Sequence, residues 1–261
     1  MPTKSDNAAN LTEWLCVIPS RLGSTRMAEK ALADLGGKPL VVRVYERTKT
    51  LRDKGAEVLV ATDSDRIMEV CRTHGVPSVM TLASHQSGSD RCYEVAAKSP
   101  RPYVLNVQGD EPFVVVEDLL SLIGLMQRRP FIGMGTLAVE LSDLDLFRDP
   151  NTVKVVATSD QRALYFSRSA IPHIRMAESS GRDTHKIQVP FMAHVGVYAF
   201  RKEALKEFVN LPKSSLEVRE GLEQLRALEN GMEIIVERAT KLPLNINTEE
   251  DLRCAQEFFR N

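Results

Sequence analysis

The segment Ile18-Pro19-Ser20-Arg21-Leu22-Gly23-Ser24-Thr25-Arg26-Met27-Ala28-Glu29-Lys30 sets three cations, Arg21, Arg26 and Lys30, among the hydroxyls of Ser20, Ser24 and Thr25. Cations and small residues gathered in one loop suit a triphosphate, whose charge must be offset before a nucleophile can approach. A solvated basic loop has the same composition. The segment carries neither GxxxxGK[ST] nor GxGxxG, so it is no P-loop and gives little support to an NAD-binding reading. Gln108-Gly109-Asp110-Glu111-Pro112 places two neighbouring carboxylates behind a glycine that permits close backbone approach. Adjacent side chains point apart, so one of the two meets a metal. A magnesium ion bridging Asp110 and phosphate oxygens is a typical use, and a capped surface turn is the alternative. His85-Gln86-Ser87-Gly88-Ser89-Asp90-Arg91 is a dense polar loop entering a helix, with Ser89 as the expected N-cap. Gln86, Ser87 and Gly88 suit base or sugar recognition, or capping alone. Arg168 and His194 stand at strand ends, where each alone is as compatible with a structural role.

The elements that must position these groups follow from hydrophobic spacing. Trp14 to Ile18 reads as a buried strand ended by Pro19, and Gly36-Gly37-Lys38-Pro39 as a turn. A helix over Leu40 to Lys54, a strand over Glu57 to Thr62, a helix over Asp65 to His74 and a strand over Val76 to Met80 come next. A helix over Ser89 to Lys98 and a strand over Tyr103 to Val107 complete the first half. Such alternation predicts parallel strands covered by helices, with ligands beyond the carboxyl ends of the strands. The clusters at Ser20 to Lys30 and at Gln108 to Glu111 are therefore expected to meet at one crevice. The second half is less regular. Strands are expected over Gly133 to Glu140, Val153 to Ala157, Leu164 to Arg168, Ala193 to Phe200 and Glu233 to Glu237, with a polar loop over residues 175–188. A helix is expected over Leu216 to Asn230, closed by Gly231, with Val218, Leu222, Leu225 and Leu228 on a core stripe. Its adjacent face holds Glu217, Glu220 and Gln224, which suit solvent or sugar hydroxyls equally. A last helix starts at Thr248.

The composition bounds these readings. A chain of 261 residues with 43% hydrophobic and 26% charged residues holds one large α/β domain or two small ones, and disorder as the main state is excluded. Lys and Arg total 34 against 35 Asp and Glu, a balance that argues against a nucleic-acid binder. The four cysteines form no CxxC, which speaks against zinc ribbons and thioredoxin-like chemistry and for a reduced, cytoplasmic protein. Residues 1–12 are polar, without a signal-peptide core, and are expected to be a disordered tail. No apolar run of about 18 residues occurs, so no membrane span is expected.

Taken together, the ordered segments Ile18-Pro19-Ser20-Arg21 with Ser24, Arg26 and Lys30, Gly37-Lys38-Pro39, Val60-Ala61-Thr62-Asp63, His85-Gln86-Ser87-Gly88 and Asn106-Val107-Gln108-Gly109-Asp110-Glu111-Pro112 resemble the 3-deoxy-manno-octulosonate (Kdo) cytidylyltransferases. Leu164-Tyr165-Phe166-Ser167-Arg168, His194-Val195-Gly196-Val197-Tyr198 and Leu222-Glu223-Gln224-Leu225-Arg226 extend the resemblance through the second half. It implies an α/β, nucleotidyltransferase-type, Rossmann-like fold with a mixed, largely parallel sheet flanked by helices. A single domain over residues 13–261 would comprise a nucleotide-binding part (13–130), a smaller sugar-binding and dimerisation part (131–240) and a closing helix (241–261). The implied reaction joins CTP and a 2-keto-3-deoxy sugar acid to give a CMP-sugar and pyrophosphate with Mg²⁺, in a cytoplasmic homodimer. By position, Lys30, Arg26 and Asp110 would be catalytic. Pro19, Arg21, Ser24, Arg26, Lys30, Gln86, Ser87 and Gly88 would hold the nucleotide. Gln108, Arg168, His194, Glu217 and Gln224 would contact the sugar acid, and Asp110 and Asn247 the metal. The chain departs from the family pattern at Ala28-Glu29, which adds a negative charge beside the phosphates, at Leu82 and Ser84, and at Asn247, where the family carries an aspartate. A modified sugar, such as an amino-substituted Kdo, and a non-catalytic nucleotide-binding homologue stand as alternatives.

Overall fold

The computed structural model describes residues 10–23, 27, 29–174 and 186–259. Ser24, Arg26, most of the expected tail and most of the polar loop over 175–188 lie outside them. In chain order the elements are β1 (Trp14–Ser20), α1 (Leu40–Thr48), β2 (Glu57–Thr62), α2 (Asp65–Thr73), β3 (Ser78–Met80), α3 (Gly88–Ala97), β4 (Tyr103–Val107), α4 (Val116–Arg128), β5 (Met134–Asp143), α5 (Leu144–Arg148), β6 (Lys154–Ala157), β7 (Ala163–Ser167), β8 (Lys186–Arg201), α6 (Lys202–Asn210), α7 (Ser215–Glu220), α8 (Gln224–Glu229), β9 (Ile234–Arg238) and α9 (Glu249–Glu257). The strands make a mixed, largely parallel architecture flanked by helices. The chain divides into two compact units, one running to Leu120 with Phe200–Lys202 and Pro243 onward, the other comprising Ser121–Ala199 and Glu203–Leu242.

In the first unit the strands lie in the order β3-β2-β1-β4, all parallel. β1 is buried along its whole length, the pattern of a parallel strand covered on both faces. Trp14 stacks on Tyr103 of β4 with ring centroids 4.8 Å apart. Gly36 and Gly37 adopt positive φ (61° and 81°), which turns the chain into α1. Ser64 caps α2, its hydroxyl accepting from the Ile67 N–H. The cap of α3 differs from the expectation. Ser87, not Ser89, accepts the Asp90 N–H (3.1 Å), while the Asp90 carboxylate accepts the Ser87 N–H (2.9 Å). This reciprocal box satisfies two otherwise unpaired donors, which a cap at Ser89 would not, and Ser89 is buried in the first turn.

In the second unit β5 pairs parallel with β9 and neighbours β8, and β6 runs antiparallel to both β7 and β8. The single helix expected over Leu216 to Asn230 is two short ones. Gly221 takes a left-handed conformation (φ 62°), ends α7 and returns its N–H to the Glu217 carbonyl. The break resets the helical phase. Leu222 and Leu225 are buried, but Val218 is 69% exposed rather than on a core stripe.

Candidate active site

An open cleft lies in the first unit, at the carboxyl ends of its parallel strands. Pro19, Ser20 and Arg21 reach it from the end of β1, and Gln108, Gly109 and Asp110 from the end of β4. Gln86, Ser87 and Gly88 enter with the cap of α3, and Lys30 and Asn247 also line the cleft. The two clusters expected to meet do so. Gly109 makes this possible, since a Cβ there would stand 2.6 Å from Ser20 Oγ and 2.8 Å from the Pro19 carbonyl. A Cβ on Gly88 would stand 3.1 Å from Pro19 Cγ and 3.3 Å from Gln108 Oε1.

Lys30 Nζ donates to Asp110 Oδ2 at 2.6 Å, with the two side chains 17% and 26% exposed. The Ile246 N–H donates to the Asp110 main-chain carbonyl (3.1 Å), which brings the next residue, Asn247, to the cleft. The Asn247 and Thr248 N–H groups both donate to Asp251 Oδ2 in the cap of α9. Gln108 Nε2 donates to Asn106 Oδ1 (3.0 Å), fixing the orientation of its amide. Glu111 turns into the interior, 1% exposed. Burial, helped by the charge of Asp110, pushes its carboxyl up to about 8, against the pull of Lys30 and an Asn245 hydrogen bond. Asp110 is thus the carboxylate of the pair that faces the cleft.

Among the described residues no group of three His, Cys, Asp or Glu is placed to hold a metal ion. Asp110 with the Asn247 amide oxygen is a sparse donor set. It fits Mg²⁺, which takes few protein ligands and completes its shell with water and substrate phosphates, better than a metal that takes imidazole or thiolate ligands.

Some contributors carried no assigned role in the sequence reading. Arg91 is 3% exposed, lines the cleft, and donates from Nη2 to Asp63 Oδ2 (2.7 Å) and from Nη1 to Thr81 Oγ1. Its place one turn into the capped helix was a signal for this inward position. His85 contacts Glu94 (2.7 Å). Burial raises the Glu94 carboxyl, but the Leu82 N–H, His85 and Lys98 together hold it at about 2. The exposed Leu82 side chain lies beside that loop, with its N–H on Glu94. The Glu29 carboxylate is held bidentately by Arg66, which places a counter-charge beside it.

Arg168, His194, Glu217 and Gln224 all belong to the second unit. The Arg168 N–H donates to Glu220 Oε2 (2.9 Å), its Nε to the Glu220 carbonyl (2.7 Å) and its Nη1 to the Pro150 carbonyl (3.0 Å). Glu220 also accepts from Ser167 Oγ at 2.7 Å. His194 packs edge-on against Phe166 with centroids 5.1 Å apart, and its Nε2 shares a 2.8 Å hydrogen bond with Thr136 Oγ1. Burial pushes its imidazole down to about 3, so it is neutral at pH 7. Glu217 is paired bidentately with Arg226 (2.6 and 2.8 Å) and accepts the Ser214 N–H. Gln224 is 2% exposed and its Nε2 has no partner among the described residues.

A polar cleft at the carboxyl ends of parallel strands, with a cation facing a carboxylate, is where an α/β protein of this kind takes its ligand. Residues 15–234 match the family model described as cytidylyltransferase, and the chain belongs to that family. It is 42% identical over 252 residues to a 3-deoxy-manno-octulosonate cytidylyltransferase of Elusimicrobium minutum, covering 95% of this chain and 99% of that one. It is 45% identical over 242 residues to the protein of the same name from Gemmatimonas aurantiaca, covering 91% of each. Among solved structures, it matches a CMP:2-keto-3-deoxy-manno-octonic acid synthetase complexed with CTP at a TM-score of 0.85 and 36% identity, covering 95% of this chain and 98% of that chain. HddC from Yersinia pseudotuberculosis shares the fold, with a TM-score of 0.66 and 15% identity over 94% of this chain and 99% of that one.

Proposed function

We propose that this enzyme joins CTP and 3-deoxy-manno-octulosonate to give CMP-Kdo and pyrophosphate, a step of lipopolysaccharide biosynthesis. The observation that carries the reading is the cleft itself. Lys30, Asp110, Asn247 and the Gln86-Ser87-Gly88 loop converge in it, in a chain matched over nearly its whole length by relatives of that name. The anomeric hydroxyl of the sugar attacks the α-phosphorus of CTP, and the bond to the β-phosphate breaks in line as pyrophosphate leaves. Such a reaction asks the protein for positioning and charge balance more than for covalent chemistry.

In this reading Arg21, Ser24, Arg26 and Lys30 hold the triphosphate, and Pro19, Gln86, Ser87 and Gly88 hold the cytidine. The Lys30 ammonium, paired with Asp110 among the described residues, exchanges that partner for the triphosphate. Asp110 and Asn247 would hold Mg²⁺, which supplies charge neutralisation at the phosphates. Arg168 takes the carboxylate of the sugar acid. His194 is neutral and so offers a hydrogen bond without a charge, while Gln108, Glu217 and Gln224 contact hydroxyls. A cytoplasmic homodimer is part of the same reading, and cysteines free among the described residues suit a reducing compartment. The names of the relatives give no support to an amino-substituted sugar or to a non-catalytic homologue.

The test is pyrophosphate release from CTP with Mg²⁺ and Kdo. Release that depends on the sugar acid is expected. No release with any eight- or nine-carbon keto-sugar acid would contradict the reading.

A further inference from the structure

Lys154 is fully buried, an unusual place for an ammonium group. Its three donors are all used, and all on main-chain carbonyls: Asp149 (2.9 Å), Thr152 (2.6 Å) and Arg168 (2.7 Å). Those carbonyls come from two separate segments. Two flank Pro150, whose own carbonyl accepts from Arg168 Nη1. The third belongs to Arg168 itself. The ammonium therefore ties the main chain of Arg168 to the loop on which its guanidinium rests. Glu220 closes the other side through the Arg168 N–H and Nε. Among the described residues, Nη2 of Arg168 has no partner. The strand register adds a second link. Lys154 in β6 lies opposite Ser167 of β7 and opposite Ala193 of β8, each directly preceding a residue expected to meet the sugar acid. The His194 N–H donates to the Val153 carbonyl at 2.8 Å.

We infer that Lys154 is a positioning residue for the sugar acid, its buried ammonium fixing the mount from which Arg168 meets the substrate carboxylate. The inference rests on the reading of Arg168 given above. An apolar side chain of similar length would fill the volume but take the ammonium donor from the Thr152 and Arg168 carbonyls and leave the Asp149 carbonyl with the Thr152 N–H (3.2 Å), and the 149–152 loop would be released from the Arg168 strand end. A displacement near 1 Å at such a mount is enough to change turnover by about two orders of magnitude. The consequence falls on one substrate, because the residues tied together contribute nothing to the nucleotide cleft.

The experiment measures KM for Kdo and for CTP, together with the thermal midpoint, in Lys154→Met, Lys154→Gln and Arg168→Lys. Lys154→Gln retains two donors and is the gentler variant should Lys154→Met fold poorly. Lys154→Met is expected to raise the KM for Kdo about tenfold or more, with the KM for CTP within about twofold, and Lys154→Gln to show the same split at smaller size. Arg168→Lys, which loses the planar fork, is expected to show the split as well. If Arg168→Lys raises the KM for Kdo while both Lys154 variants lower only the thermal midpoint, the lysine is a structural strut and the inference is overturned, with the reading of Arg168 intact. An unchanged KM for Kdo in Arg168→Lys would remove the reading of Arg168 and this inference with it. Equal rises for both substrates in the Lys154 variants would also overturn it.

Discussion

The two units of the chain treat their charges differently. In the first, Lys30 and Asp110 hold each other by one contact in an open cleft, 17% and 26% exposed. In the second, Glu217 and Arg226 are paired bidentately at 9% and 8% exposure, and Lys154 and Arg168 are tied down by main-chain carbonyls. The contrast fits the roles proposed for the two regions. A cleft proposed to admit a triphosphate gains from a cation that can change partners, as Lys30 can, while Arg91 beside it is held by Asp63 and Thr81. A surface that presents one guanidinium to one carboxylate gains from rigidity, so its polar groups are used on one another.

The largest expected effect breaks the buried pair. Arg226→Met leaves the Glu217 carboxylate unpaired in the interior and should cost about 3–5 kcal/mol of stability, measured by urea unfolding. A loss near that of an exposed pair would show that the second unit is no more locked than the first. Lys30→Met should leave stability nearly unchanged but lower kcat by about 10²–10³-fold, as losing one charge-stabilising donor does elsewhere. A large fall in thermal midpoint with kcat intact would invert the comparison.

A smaller effect sharpens it through pH. His194 has a folded-state pKa of about 3, below its ordinary 6.5, because burial penalises the charged ring. Below pH 6.5 the unfolded chain takes up a proton that the folded chain refuses. Stability from this residue is therefore complete above 6.5 and is lost progressively as the pH falls toward 3. His194→Gln should flatten that acid limb in urea midpoints taken between pH 4 and 7. The smallest effect belongs to the exposed Glu29–Arg66 pair. Arg66→Ala should change kcat/KM for CTP by no more than about twofold, since such surface pairs contribute little. A loss of tenfold would mean that the charge of Glu29 does reach the phosphates.

Much of the first unit was legible in the sequence, because strand, polar cluster and helix recur there in an order that parallel topology dictates. The clusters at Ser20 to Lys30 and at Gln108 to Glu111 could be placed at one crevice from that order alone. The rest, in both units, was less legible for specific reasons. Gly221 looks like a tolerated glycine inside a helical stripe, and only its left-handed conformation shows the break between α7 and α8. Ser87 and Ser89 both fit the cap of α3, and the choice depends on the reciprocal hydrogen bonds of Asp90. The sequence pattern of Asp110-Glu111 says that one carboxylate turns away but not which, and burial decides it. Lys154 drew no attention in a strand of valines, since no local pattern announces three carbonyls converging from distant segments.

The central proposal is that the nucleotide is held by the first unit and the carboxylate of the sugar acid by Arg168 of the second. Calorimetric titration of CTP with Mg²⁺ into the wild-type enzyme, Lys30→Met and Arg168→Lys tests it most directly. CTP affinity should fall about tenfold or more in Lys30→Met, the effect of losing a charged partner, and stay within about twofold of wild type in Arg168→Lys. Equal weakening in both variants, or unchanged affinity in Lys30→Met, would contradict the account.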